Sequence, residues 1–167
     1  MLACVDVAYS PRSAAAACLV FHDWTDPVEA RAFVARIDDV ADYEPGAFYR
    51  RELPCLLAVL REVDAPLDAV VIDGYVWLSS DARPGLGARL FEALEGRSVV
   101  VGVAKTPFAG SDFAVPVARG TSSRPLYVTA AGAAPDVAAG WVRSMHGDHR
   151  VPTLLRRVDR RCRDAAG

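Results

Sequence analysis

A chain of 167 residues suits one domain, and a hydrophobic share of 52% lets it bury a core without cross-links. No apolar run approaches the ~18–20 residues that span a bilayer, and residues 1–6 lack the basic start of a secretory signal, so neither a membrane protein nor an exported one is expected. The net charge of −2 speaks against a polyanionic partner, but residues 143–163 hold seven arginines against Asp148 and Asp159, so a basic segment sits beside an acidic remainder.

In chain order, residues 2–9 (LACVDVAY) and 14–22 (AAAACLVFH) read as two strands joined by the turn Ser10-Pro11-Arg12-Ser13, a hairpin. Residues 30–37 alternate small or polar with apolar and give a third strand, so the chain opens as an antiparallel meander. After the break at Pro45-Gly46, residues 48–63 place Phe48, Leu53, Leu56, Leu57, Leu60 and Val63 at helical spacing. Residues 67–73 (LDAVVID) form a short strand with the continuous apolar character of one buried on both faces. A loop over 74–84 leads to a helix marked by Leu86, Leu90 and Leu94 and stopped by Gly96. Residues 98–104 (SVVVGVA) are a further buried strand. Residues 105–124 read as loop with room for an edge strand, 125–130 as a last strand, 135–145 as a helix opened by Pro135, and 153–163 as a basic terminal helix. A meander followed by helix crossovers predicts an α/β fold with a mixed sheet and packed helices, in a single domain over 1–167.

The four cysteines, Cys4, Cys18, Cys55 and Cys162, form no CxxC pair and read as reduced thiols of a cytoplasmic protein. The basic tail by itself fits a solvated amphipathic helix as well as a nucleic-acid face. Lys105 is the sole lysine beside eighteen arginines. It is either a remnant of an arginine-biased composition or a place where a compact ammonium is needed.

Three acids stand out. Asp6 interrupts the first strand between Val5 and Val7, Asp73 ends the fourth strand before Gly74, and Glu52 lies one helical turn before Leu56. Singly, they fit a solvent-facing sheet edge, a turn residue and an ordinary helix surface. If the first and fourth strands are neighbours, Asp6 and Asp73 meet at one end of the sheet, and the helix can bring Glu52 there. Such hard oxygen ligands suit Mg²⁺ or Mn²⁺ and the cleavage of phosphodiesters.

At these residues the sequence resembles the endonuclease V family. Asp6-Val7-Ala8-Tyr9 matches that family's opening D-V-x-Y, and Tyr43-Glu44-Pro45-Gly46 its Y-[IV]-P-G with Glu44 in the aliphatic place. Arg51-Glu52-Leu53-Pro54 matches R-E-x-P, Asp73-Gly74 matches D-G, and Gly102-Val103-Ala104-Lys105 matches G-V-A-K. Arg150-Val151-Pro152 with Arg156 and Asp159 matches the closing R-[LIV]-P-x-x-x-R-x-x-D. The order is colinear over nearly the whole chain.

The resemblance implies an RNase H-like fold: a three-strand antiparallel meander followed by parallel strands, with helices on both faces. It implies a metal-dependent endonuclease of the DNA-repair type that hydrolyses a phosphodiester near inosine, deaminated adenine, on its 3′ side, in DNA or RNA. Asp6, Glu52 and Asp73 would ligate Mg²⁺, with Mn²⁺ as a substitute, and Lys105 would stabilise charge at the scissile phosphate. Tyr43 would wedge into the space left by the turned-out base. Pro45, Gly74, Arg83, Arg150 and Arg156 complete the expected nucleic-acid contacts, and the expected state is a monomer.

Three departures bear on this. The family's H-P-R after D-G is replaced by the loop Tyr75 to Pro84, in which Ser79 or Ser80 falls near the missing His and Arg83 near the Arg. The His expected after the last strand is also missing: Gly132 is followed by Ala133, with Asp136 nearby as a substitute ligand or an ordinary first-turn acid. The helix that precedes the family's first strand has no counterpart here. His22, His146 and His149 fall elsewhere and read as surface residues. A relative that binds nucleic acid without turnover is therefore the alternative. An RNase H-like scaffold with another partner, docked on an exposed Tyr75, Trp77 and Leu78, is a further one.

Overall fold

The computed structural model describes residues 1–11, 13–38, 48–108 and 113–167. Seven strands form one mixed sheet: β1 (Leu2–Tyr9), β2 (Ser13–Phe21), β3 (Arg31–Asp38), β4 (Ala69–Asp73), β5 (Val99–Ala104), β6 (Val115–Val117) and β7 (Leu126–Ala131), in the order β3-β2-β1-β4-β5-β7-β6. β1, β2 and β3 pair antiparallel, as the short turn between the first two dictates, and β4 and β5 add parallel to β1. Parallel neighbours need crossovers, which α1 (Phe48–Leu60) and α2 (Leu86–Ala93) supply. No helix is described between β5 and β7, and β7 runs antiparallel to β5, with the short edge strand β6 beyond it.

The apolar residues alternate along each strand and divide the core into two layers. Cys4, Leu19, Phe21, Val71, Val101 and Val103 face α3 (Pro135–Ser144) and α4 (Thr153–Ala166). Val5, Cys18, Val20, Val70, Ile72 and Val100 face α1 and α2. The expected helices on both faces are thus present. All four cysteines are buried free thiols.

Two glycines bring the chain close at the end of β4. Gly74 adopts φ 125°, which side chains rarely tolerate, and turns the chain sharply after Asp73. Gly102 of β5 lies under this turn, where a Cβ would stand 2.6 Å from the Gly74 carbonyl and 2.9 Å from the Val76 nitrogen. The loop that follows is fastened to β7: the Val76 N–H donates to Thr129 Oγ1 at 2.8 Å and Trp77 Nε1 to the Ala130 carbonyl at 2.9 Å. Val76 is fully buried and Trp77 half-buried against the α1/α2 layer. Of the run expected as an exposed docking patch, Trp77 is thus held against the core, while Tyr75 and Leu78 stay part-exposed. No helix among the described residues is long and apolar enough to cross a membrane.

Candidate active site

Strand parity and register place the charged residues. Cys4, Val71 and Val103 are buried on the α3/α4 side of three neighbouring strands, and two residues further along each strand come Asp6, Asp73 and Lys105. β1 and β4 pair in register up to Val5 and Ile72, so the next positions set Asp6 beside Asp73. Asp73 pairs in turn with Val103, two residues short of Lys105. Lys105 Nζ lies 2.5 Å from Asp73 Oδ2.

Glu52 comes from the other layer. β3 runs parallel to β1, so α1, which follows it and leads to β4, starts at the edge of the sheet where β1 and β4 end. Its second turn carries Glu52 to that edge, 6% exposed, with Oε2 buried and without a hydrogen-bond partner. A fourth acid arrives on α4, which travels alongside β1. Cys4 Sγ meets the Leu154 carbonyl at 3.7 Å, and Ser10 Oγ donates to the Ala166 carbonyl at 2.6 Å. Asp159, between those points on the helix, comes opposite Asp6, between them on the strand. Asp6, Tyr9, Glu52, Asp73, Lys105, Asp159 and Arg163 line one open cleft of about 530 Å³. Asp159 belongs to the closing motif, but within a helix dominated by arginine only its sign was legible.

The electrostatics are those of carboxylates held without enough countercharge. Val103, Leu126, Leu155 and Val158 form an apolar floor under Asp6. Burial, then repulsion from Asp73 and Asp159, raises the Asp6 carboxyl to about 7, although the Val7 N–H at 2.8 Å and Lys105 oppose the rise. Burial, then Asp6 and Asp73, raises Glu52 to about 8. Burial works against the charge on Lys105, but its hydrogen bond to Asp73 and the surrounding acids outweigh that and hold its pKa above the ordinary value. Among the described residues, no three His, Cys, Asp or Glu side chains stand close enough to hold an ion as they are. The donor chemistry nevertheless fits a hard divalent cation: the oxygens are carboxylate, Glu52 Oε2 is orphaned, and burial, with the neighbouring acids, disfavours the charge on two carboxyls that a cation would stabilise.

A consequence for stability follows. In the unfolded chain Glu52 ionises near 4.5, whereas in the fold it keeps its proton until about pH 8. Between those values the unfolded state releases the proton first, so this group's contribution is fully favourable below about pH 4 and is lost as pH rises through 8. Without divalent metal, Glu52→Gln is expected to stabilise the protein at pH 8.5 by roughly 2 kcal/mol, or about 4–8 °C in Tm, and to gain little at pH 4. Thermal melts at the two pH values check this, and equal shifts at both would refute it.

A second cleft of about 460 Å³ adjoins the first and shares Glu52 and Asp73 with it. Tyr49, Gly74, Tyr75, Leu78, Arg83 and Phe108 are among its walls. The Tyr75 hydroxyl donates to the Thr106 carbonyl at 2.8 Å and accepts from the Phe108 N–H at 3.1 Å, and the two rings meet at a tilt, centroids 6.1 Å apart. Such a volume is ordinary for a small-ligand pocket (~300–1,000 Å³).

The remaining expected contacts divide. Gly74 and Arg83 lie at this second cleft. Arg150 turns its guanidinium to the Lys105 and Pro125 carbonyls, where it secures the end of β5. Arg156 is exposed on α4. Tyr43 and Pro45, with Glu44, lie outside the described residues. Asp136 sits in the first turn of α3, exposed, just after the end of β7 that pairs with the start of β5, and so at the opposite edge of the sheet from Asp73. It is no substitute ligand for this cleft. His22, His146 and His149 are exposed and line neither cleft.

Comparison with known proteins adds a second line of evidence. Residues 1–137 match the family model described as Endonuclease V. A protein named Endonuclease V from Streptomyces coelicolor is 38% identical over 71% of this chain and 50% of its own length. A protein of the same name from Streptomyces avermitilis is 31% identical over 88% of this chain and 77% of its own. The chain thus spans half the length of one relative and about three quarters of the other. Among solved structures, the D234N endonuclease V of Ciona intestinalis, in complex with a 23mer DNA containing an inosine followed by a ribo-adenosine, superposes with a TM-score of 0.76 at 15% identity, over 99% of this chain and 84% of that one. The fold is that of these RNase H-like proteins.

Proposed function

This chain belongs to the endonuclease V family, and on that premise we propose that it is a metal-dependent endonuclease hydrolysing a phosphodiester bond near inosine in DNA or RNA. The observation that carries the reading is the cleft in which β1, α1, β4 and α4 contribute Asp6, Glu52, Asp73 and Asp159, with Lys105 of the β5 end beside them. Asp6, Glu52 and Asp73 would hold Mg²⁺ or Mn²⁺, with Asp159 beside them, and the ion would supply an acidified water and countercharge for the departing oxygen.

The chain's own groups account for the rest. The Lys105 ammonium, half-exposed on the rim and kept charged by the acids, sits where a phosphate approaching the cleft meets it first. This cation serves phosphate binding as well as charge developing in the reaction. The adjoining cleft, walled by Tyr75, Leu78 and Phe108, offers apolar and aromatic surface to a base turned out of its stack. Gly74 leaves backbone free to approach that base. The Ciona relative's complex with inosine-containing DNA supports this choice of substrate.

The alternative, a nucleic-acid-binding relative without turnover, is favoured by two features: Lys105 closes on Asp73, and no imidazole lines the cleft among the described residues. Cleavage of labelled single- and double-stranded oligonucleotides, DNA and RNA, with one inosine or none, in Mg²⁺ and then Mn²⁺, decides between them. Inosine-dependent cuts that vanish in chelator are expected. A folded protein that binds these strands and cuts none of them would establish the alternative.

A further inference from the structure

We propose that the outer crest of α4, formed by Arg156 and Arg160 and continued by Arg163 at the cleft rim, is a track for the sugar–phosphate backbone of the strand whose scissile bond lies in the acid cleft. The proposal rests on the nuclease reading above and divides the arginines of α4 into two sets with different tasks.

The division follows from helix geometry. Leu154, Val158 and Cys162 face the sheet and are buried. On one flank, Asp159 and Arg163 face the acid cleft. On the other, Arg157 and Arg161 reach Glu29 in the β2–β3 connection, with nitrogen–oxygen distances of 2.9 and 3.5 Å. The Glu29 side chain is only 10% exposed, so freeing it would strand a nearly buried carboxylate. Arg157 and Arg161 are struts that fasten α4 to the meander, and Glu29 already offsets part of their charge.

Between the flanks stands the crest. Arg156 and Arg160 are exposed, and among the described residues neither has an acid partner. Arg160 also borders the groove against Val34 of β3. The two are neighbours at i and i+4, and Arg160 and Arg163 at i and i+3, so the three form one contiguous stripe. Arg163 holds Asp159 through Nε at 3.0 Å and Nη2 at 2.9 Å, yet its side chain is 70% exposed, and its remaining donors face solvent. The stripe therefore begins inside the cleft, where Arg163 stands with Lys105, and leads away over the helix. Inside the cleft Lys105 is held on Asp73 and Arg163 on Asp159, which leaves little cationic attraction for a polyanion, and the stripe continuous with it supplies that attraction and gives the strand one direction of approach.

The test is fluorescence anisotropy of a labelled inosine-containing strand in chelator, from roughly 50 to 300 mM salt. R156E/R160E is expected to weaken binding at least about tenfold and to flatten the log–log salt dependence by about 1.5–2. R157A/R161A is expected to keep the parent slope while lowering Tm. An unchanged slope in R156E/R160E, or an equal loss in both variants, overturns the track while parent cleavage leaves the nuclease reading standing. A parent chain with no salt-dependent binding overturns the track, and it overturns the nuclease reading as well only if that chain cuts no strand in Mg²⁺ or Mn²⁺.

Discussion

Asp73→Ala is expected to abolish cleavage, with a loss of at least ~10³-fold in kcat/KM, and Asp6→Ala to do the same. Asp73 closes β4, and Asp6 lies just past the last β1 residue paired with β4, although β1 continues beside β2 to Tyr9; the core positions Cys4 and Val71 lie behind both acids. Removing either carboxylate therefore leaves the packing intact. Asp6 is largely buried, with Asp73 and Asp159 close enough to raise its pKa, so alanine there should hold or improve the melting temperature. The test pairs single-turnover cleavage with a thermal melt. Lost activity with an unshifted or raised Tm is the expected pattern. Retained cleavage in both variants would show that these acids do not carry the reaction. Collapse of the fold in either would show that they act structurally.

Lys105→Ala is expected to lower kcat by about 10²–10³, the effect of deleting one preorganised charge donor at a site of developing negative charge. The ammonium is bound to Asp73 and surrounded by Asp6 and Asp159, so the variant also frees one carboxylate for metal. The Mg²⁺ concentration for half-maximal rate should then stay level or fall while the rate falls, which separates loss of a phosphate partner from loss of metal. Lys105→Arg should recover only part of the rate, because a planar fork paired to Asp73 does not present a compact charge at the same point. A Lys105→Ala enzyme with full kcat would reduce the residue to a counterion for Asp73.

Much of this site was legible before any coordinates. An aspartate inside an apolar strand and another at the end of a buried one are costly placements, and that cost made Asp6 and Asp73 conspicuous in LACVDVAY and LDAVVID. The period-two and helical patterns were strong enough to place every element but β6 to within three residues of where it lies, and β6 was foreseen only as room for an edge strand in residues 105–124. Asp159 was harder to see, because a single acid in TLLRRVDRRCRDAA carries no local signal. It becomes part of the cleft only because α4 runs beside β1. Trp77 was misleading in the opposite sense: an apolar loop run looks like a contact patch until its indole N–H is found on the Ala130 carbonyl, reached across β5.

The sequence by itself determined the order of strands and helices and made Asp6, Asp73 and the singular Lys105 conspicuous, and the family resemblance joined Glu52 to them. The element order and the two aspartates follow from local periodicity and from the cost of charge among apolar neighbours, which are properties of short stretches of chain. Only the tertiary structure decided the antiparallel direction of β7, the exclusion of Asp136 from the cleft, the entry of Asp159, and the split of α4 into Glu29-bound struts and an open crest. Each of those depends on which surfaces meet across residues far apart in the chain. That is fixed by sheet register and helix packing, and no window of sequence contains it.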